Sequence, residues 1–322
     1  MTPGRILVVG SNGLLGQKVA EMLVRGTSSA VTLSSMEDAP VRVMDTAGYV
    51  KTDITSKKEV KQLVAGAEPD VIINCAAITN VDACESEREL AWKVNVGGLE
   101  NLIEFSRRTD ATIVQISSDY IFDGRNGPYT EDDRPEPVSY YGKTKLAGEN
   151  ALRASGVKYL IARTMVLYGY AQGIKPNFVL WLIQSLEKKS AVRIVDDQIG
   201  NPTLADDLAY GLIRGVELGR TGVYHIAGRE ILSRYEFAQR VAQAFKLDET
   251  LITPIKTAQL RQPAQRPLKS GLITLKAEVE LGIHPSTIDQ GLAVVKNQLA
   301  HGARRVSDSS PVPGQPHARG KR

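Results

Sequence analysis

The chain has 322 residues, 42% of them apolar and 24% charged, which is the composition of an ordinary folded protein with enough apolar matter for a large core. Its net charge of +4 is carried by residues 303–322, where Arg304, Arg305, Arg319, Lys321 and Arg322 face one acid, Asp308. The remainder is neutral, so the broad basic footprint of a nucleic-acid binder is missing; no apolar run is long enough to cross a bilayer, and Ile6–Gly16 is too short and too polar for a secretory leader.

These features read as a cytoplasmic chain ending in a disordered basic tail over 303–322. Cys75, Cys84 and the four scattered histidines offer neither a disulfide framework nor zinc-ligand spacing, so no metal is expected from the residues themselves.

The first predicted element is a strand, Ile6–Val9. It runs straight into Gly10-Ser-Asn12-Gly13-Leu14-Leu15-Gly16 and a helix over Leu14–Arg25 that gathers Leu15, Val19, Met22 and Leu23 on one side. Glycines between a strand and a helix permit a tight turn whose backbone amides can approach a pyrophosphate at the helix N-terminus. A second strand, Val31–Ser35, ends in Ser34 and Ser35, where the 2′ position of a bound dinucleotide should lie. An acid there would favour a free ribose hydroxyl. Two hydroxyls without a neighbouring arginine leave NADP(H) favoured and NAD(H) possible.

Asp53-Ile54 precedes a helix start marked by Ser56 and Glu59, and Asp53 could equally be a helix-entry residue. Val71–Asn74 is a third strand, followed by Cys75-Ala76-Ala77. Ser86 with Glu89 marks a long helix, Glu89–Arg108, that carries Asn95 and buries Trp92, Leu99, Leu102 and Phe105. Thr112–Ser117 is the next strand. Strands alternating with amphipathic helices in this way predict a doubly wound parallel α/β sheet of the Rossmann type.

Ser117-Ser118-Asp119-Tyr120 stands at the C-terminal end of that strand, where open α/β sheets place their ligands. Downstream comes Tyr141-Gly-Lys-Thr-Lys145. At i and i+4 on a helix, phenol and ammonium share one face, so the cation should stabilise a phenolate and lower the tyrosine's pKa. The register selects this pair alone, because Tyr140 has Thr144 at its i+4.

After a strand at Lys158–Arg163 the pattern loosens. Gly169–Gly173 is followed by a helix at Asn177–Lys188, smaller pieces through Val223–Ile226, and Ser233–Phe245, whose Ser233 and Glu236 mark its start. Pro254, Pro263 and Pro267 divide the next stretch into loops and short helices. This predicts a dinucleotide-binding domain over 1–165, with segments near 190–226 returning to it, and a mainly substrate-binding lobe over 166–302.

The spacing GxxGxxG resembles the short-chain dehydrogenase/reductase superfamily, and the resemblance sharpens over Ile6 to about Leu299. Ser117-Ser-Asp-Tyr-Ile-Phe-Asp-Gly124, Tyr141-Gly-Lys-Thr-Lys-Leu-Ala-Gly-Glu149, Asp197-Gln-Ile-Gly-Asn-Pro-Thr203, Val223-Tyr-His-Ile-Ala-Gly228 and Gln265-Arg-Pro-Leu-Lys-Ser-Gly-Leu272 are similar, in order, to landmarks of the dTDP-4-dehydrorhamnose reductase family. The resemblance implies reduction of the 4-keto group of a nucleotide-linked 6-deoxyhexose, with Tyr141, Ser118 and Lys145 as catalytic residues. It implies that Asp53 and Ile54 edge the adenine and that Cys75, Ala76, Ala77 and Thr79 line the cofactor. It also implies that Asn95 bends its helix and supports a water leading to the lysine, although Asn95 could instead face solvent.

Asp119, Val166, Gln198 and Arg266 are implied near the substrate, Arg266 either on its pyrophosphate or in a structural salt bridge. A homodimer and, by resemblance only, magnesium at a dimer contact are further implications. One departure stands out: Arg163-Thr-Met-Val166-Leu-Tyr-Gly169 replaces a commoner Arg-Thr-Ser-Trp-Val-Tyr-Gly, removing an aromatic that would pack on the sugar. Two alternatives remain. A sugar-nucleotide epimerase or dehydratase is one, although a dehydratase's acid pair is missing because Tyr120 follows Asp119. A non-catalytic dinucleotide binder like the regulatory subunit of methionine adenosyltransferase is the other, weakened by the intact Ser118, Tyr141 and Lys145.

Overall fold

A computed structural model describes residues 4–44 and 46–308. In chain order its strands are β1 (Arg5–Val9), β2 (Ala30–Ser35), β3 (Ala47–Lys51), β4 (Val71–Asn74), β5 (Thr112–Ser118), β6 (Tyr159–Thr164), β7 (Leu167–Tyr168), β8 (Val192–Val195), β9 (Ile199–Gly200), β10 (Thr203–Leu204), β11 (Gly222–His225), β12 (Leu232–Ser233) and β13 (Ile252–Ile255). The helices are α1 (Leu14–Gly26), α2 (Lys57–Ala67), α3 (Val81–Ser86), α4 (Arg88–Trp92), α5 (Gly98–Ser106), α6 (Tyr140–Ser155), α7 (Phe178–Glu187), α8 (Ala205–Glu217), α9 (Arg234–Phe245), α10 (Leu275–Leu281) and α11 (Ile288–Asp308).

Seven strands form one sheet in the order β11-β6-β5-β4-β1-β2-β3, and every pairing in it is parallel. This is the doubly wound fold expected from the alternating pattern, with the order reversing between β1 and β4. Continuous apolar runs are needed because both faces are covered. Val8 and Ile73 point into one core with Val19 and Leu23 of α1 and Leu212 of α8. Leu7 and Ile72 point into the other, with Val60 of α2, Leu99 of α5 and Leu152 of α6. Each such side chain contributes about 1.5–3 kcal/mol by leaving water.

A second body packs beyond the C-terminal end of the sheet. Its core joins α7, α9 and α11 around Tyr168, Phe237, Val179 and Leu292, with β8 paired to β13. The segment that returns to the sheet is α8 and β11. β8 remains in the smaller lobe, because its partner β13 lies there.

Three expectations are corrected. Ala47–Lys51 was not expected as a strand: it lies at the sheet edge, largely exposed, with no apolar run to announce it. The single helix Glu89–Arg108 is instead α4, a π-helical turn at Lys93–Gly97, and α5. Ser86 ends α3 and gives its hydroxyl to the Ala83 carbonyl rather than capping a new helix, and Trp92 is 45% exposed instead of core. The last helix runs through Asp308, six residues into the expected tail; 309–322 lie outside the described residues. Among the described residues no helix is long and apolar enough to cross a membrane.

Candidate active site

The turn after β1 is pressed between the ends of its neighbours. Gly10 has φ +76°, and a Cβ there would sit 2.6 Å from the Ala76 amide nitrogen; a Cβ on Gly16 would sit 2.2 Å from the Gly10 carbonyl oxygen. Glycine is therefore required at both places. The amides of Gly10 and Ser11 donate to the Ser34 carbonyl at 2.8 and 3.0 Å, pinning the turn to β2. Helix α1 begins at Leu14 and Leu15 with Gly13 as an N-cap that provides no side-chain acceptor, so its first amides are free for an anion. The site fits a dinucleotide pyrophosphate.

Around the 2′ position the structure amends the sequence reading. Ser34 is fully buried and its hydroxyl has no partner, so only Ser35 faces the turn, where its Oγ accepts the Asn12 amide at 3.0 Å. The Asn12 side chain donates to Glu37 Oε2 and to the Ala39 carbonyl, both at 3.1 Å, and accepts the Val41 amide at 2.9 Å. An acid thus stands beside the glycine turn after all. It was missed because it lies two residues beyond the strand end and is brought back by Asn12.

Further along, Asp53 accepts the Thr55 amide at 2.8 Å, a helix-entry contact, and Ile54 packs against Gly98, where a Cβ would collide with it. Cys75 continues the ladder by donating its amide to Val9. Ala76 and Ala77 follow, half-buried, and Thr79 is exposed.

The candidate catalytic side chains converge at the end of β5. Ser139 caps α6 by accepting the Gly142 amide, which sets the helix so that Tyr141 meets Ser118 with Lys145 one turn further on and near Cys75; all three are buried. Tyr120 meets Tyr141 edge-on, with ring centroids 5.5 Å apart. Burial raises the Tyr141 hydroxyl above its ordinary range, while a hydrogen bond with Ser118 pulls the other way. Burial also lowers the Lys145 ammonium to about 8, opposed chiefly by Glu149. The expected lowering of Tyr141 is thus reversed, because loss of water, with the negative charge of Asp119 beside it, outweighs the Ser118 hydrogen bond in this closed site. A phenol so placed holds its proton, as an acid must.

Asn95 lies in the π-helical turn, buried rather than facing solvent. Its amide oxygen accepts the Ile78 amide at 2.8 Å, and its Nδ2 donates to the Ile78 carbonyl and to Thr144 Oγ1 at 3.1 and 3.0 Å. It ties the loop after β4 to α6 one residue before Lys145.

Sequence reasoning missed the support beneath the site. Arg163 and Glu149 are 1% and 0% exposed and pair through two contacts, Nε–Oε1 at 2.9 Å and Nη2–Oε2 at 2.8 Å. Ser117 donates to the same carboxylate at 2.6 Å. Glu149 stands eight residues after Tyr141, the signal that could have exposed it.

A small cavity of about 20 Å³ adjoins Tyr120 and is walled by Asp119, Val166, Gln198, Arg234 and Ser270. Asp119 binds the hydroxyls of Ser118 and Ser270 at 2.9 and 2.6 Å; burial pushes its carboxyl up to about 6 against those bonds. Val166 has φ +48°, an uncommon conformation for a β-branched residue. Gln198 donates to Thr257 at 3.1 Å. Arg266 is committed to Asp82 at 2.7 Å and to the Ala264 carbonyl at 2.9 Å, the salt-bridge alternative. Arg234 was not anticipated. A larger cavity of about 900 Å³ lies away from this chemistry, between α1 and α8. Among the described residues no His, Cys, Asp and Glu cluster could hold a metal ion.

Over residues 4–301 the chain matches the RmlD substrate binding domain family. It belongs to that family. It is 34% identical over 305 residues to dTDP-4-dehydrorhamnose reductase of Aggregatibacter actinomycetemcomitans, spanning 91% of this chain and 98% of the relative. It is also similar to the crystal structure of dTDP-4-dehydrorhamnose reductase from Bacillus anthracis in complex with NADP, with a TM-score of 0.79, 29% identity, and coverage of 92% of this chain and 100% of that one. The β subunit of methionine adenosyltransferase 2 from Rattus norvegicus is 32% identical over 289 residues, 88% of this chain and 84% of the relative. Family membership alone therefore spans an enzyme and a subunit of another enzyme, and the site must separate them.

Proposed function

We propose that this chain is an NAD(P)H-dependent reductase acting on the 4-keto group of a nucleotide-linked 6-deoxyhexose, converting dTDP-4-dehydro-L-rhamnose to dTDP-L-rhamnose. The observation that carries the reading is the convergence of Ser118, Tyr141 and Lys145 beside the glycine turn. NADPH is proposed as the favoured donor with NADH accepted: the Ser35 hydroxyl can donate to a 2′-phosphate, while Glu37 opposes one.

Bound between the glycine turn and Lys145, the reduced nicotinamide would supply the hydride. Tyr141 holds the proton that the substrate oxygen must gain and delivers it from its Oη. Ser118, whose single proton goes to Asp119 Oδ1 before the sugar arrives, would turn it to that oxygen, and Lys145 offsets the phenolate charge left behind. Asp119, held by Ser270, fixes the Ser118 hydroxyl, and Asn95 fixes the helix turn that carries Lys145.

The test is to incubate the protein with dTDP-4-dehydro-L-rhamnose and either reduced cofactor while following nicotinamide absorbance. Oxidation matched by formation of dTDP-L-rhamnose is expected. A second reading, a regulatory dinucleotide binder, is favoured by the resemblance to the methionine adenosyltransferase subunit; cofactor binding without turnover of any 4-keto sugar nucleotide would select it.

A further inference from the structure

Arg234 opens α9 directly after its N-cap Ser233, whose reciprocal bonds with Glu236 fix the entry of the helix. Its backbone amide donates to the Gln198 carbonyl at 3.0 Å, so the residue is anchored to a wall of the pocket beside Tyr120. Its guanidinium lies over the Phe178 ring, 5.4 Å from the centroid. Among the described residues no carboxylate pairs with it: Asp119 spends its oxygens on Ser118 and Ser270. The nearby Arg266 differs, being neutralised by Asp82.

Arg234 is partly buried and feels the charge of Asp119, a carboxylate already shared between two hydroxyls, so its own charge is under-compensated, and the planar fork of arginine matches phosphate oxygens two at a time. An aromatic ring beneath it contributes but does not replace a counter-charge. The substrate class proposed above carries formal charge only in its diphosphate.

We propose that Arg234 is the specificity-determining residue for the charged part of the substrate, its guanidinium pairing with the diphosphate of the nucleotide sugar while Asp119 and Tyr120 border the sugar. The assignment rests on the reductase reading. It makes Arg234, rather than Arg266, the anion contact, and it explains how a pocket that lacks an aromatic at Val166 still fixes a flexible ligand: the ionic contact anchors one end and Tyr141 the other.

The experiment measures binding of dTDP, thymidine and NADPH, together with reductase kinetics, for the wild type, Arg234→Met and Arg234→Lys. Methionine preserves the contact with Phe178 without the charge. Arg234→Met should weaken dTDP about 100-fold and raise KM for the sugar nucleotide similarly, with thymidine and NADPH affinities unchanged; Arg234→Lys should recover part of the loss. If the wild type binds dTDP and turns over while Arg234→Met binds dTDP equally well, the assignment to Arg234 is wrong and the reductase reading stands. If the wild type binds no nucleoside diphosphate and reduces no 4-keto sugar, both fall together.

Discussion

At the proposed cofactor end the contacts are offered by backbone, held by Gly10 and Gly16 within one short turn. At the substrate end they are made by side chains from five distant segments, Asp119, Val166, Gln198, Arg234 and Ser270. The first arrangement depends on where Cβ atoms cannot be, the second on which side chains are charged and what already occupies them. One can be lost by adding a methyl group. The other is lost by removing a charge.

The largest effect is expected beneath the substrate end. Arg163→Met leaves the Glu149 carboxylate buried with Ser117 and Arg153 as its remaining partners. Chemical denaturation should show a loss of about 3–5 kcal/mol; a loss under about 1 kcal/mol would mean that the pair is not a structural support. At the other end, Gly16→Ala drives a methyl into the Gly10 carbonyl. NADPH affinity should drop by about tenfold or more, on the scale of 1–3 kcal/mol of strain, while dTDP binding stays intact. Equal damage to both ligands would erase the distinction between the two ends.

Legibility from sequence divides along the same line. The glycine turn and the Tyr141–Lys145 spacing are local: turn geometry and helix periodicity connect residues at most six positions apart, so the sequence alone located them. Glu37 escaped because Asn12 recruits it from 25 residues away. Arg234 escaped because nothing in its own segment says that it faces Asp119, 115 positions earlier. The edge strand at Ala47–Lys51 lacked an apolar run, and the π-helical turn at Lys93–Gly97 preserves the apolar spacing of one long helix while shifting its register, which is how Trp92 came to be misplaced in the core.

Two smaller effects separate the ends further. Lys145 must be cationic to offset a phenolate, and burial has lowered it to about 8. The protonated fraction falls above that value, so kcat/KM for reduction should decline with a slope approaching tenfold per pH unit above about pH 8; a flat profile to pH 10 would remove the lysine's charge from the mechanism. Smallest is the cofactor preference. Glu37→Gln removes a negative charge beside the glycine turn and should shift the ratio of NADPH to NADH efficiency toward NADPH by roughly threefold to tenfold. An unchanged ratio would place the 2′ group elsewhere.

The whole mechanism turns on the buried Tyr141 hydroxyl as the acid for a carbonyl delivered by a nucleotide sugar. Tyr141→Phe removes one oxygen and keeps the ring packed against Tyr120. The decisive measurement is its turnover of dTDP-4-dehydro-L-rhamnose at saturating NADPH, with cofactor affinity measured alongside. Unchanged NADPH binding and a loss of kcat of roughly 10²-fold or more are expected. A Phe variant that reduces the sugar at near wild-type rate would contradict the role given to Tyr141.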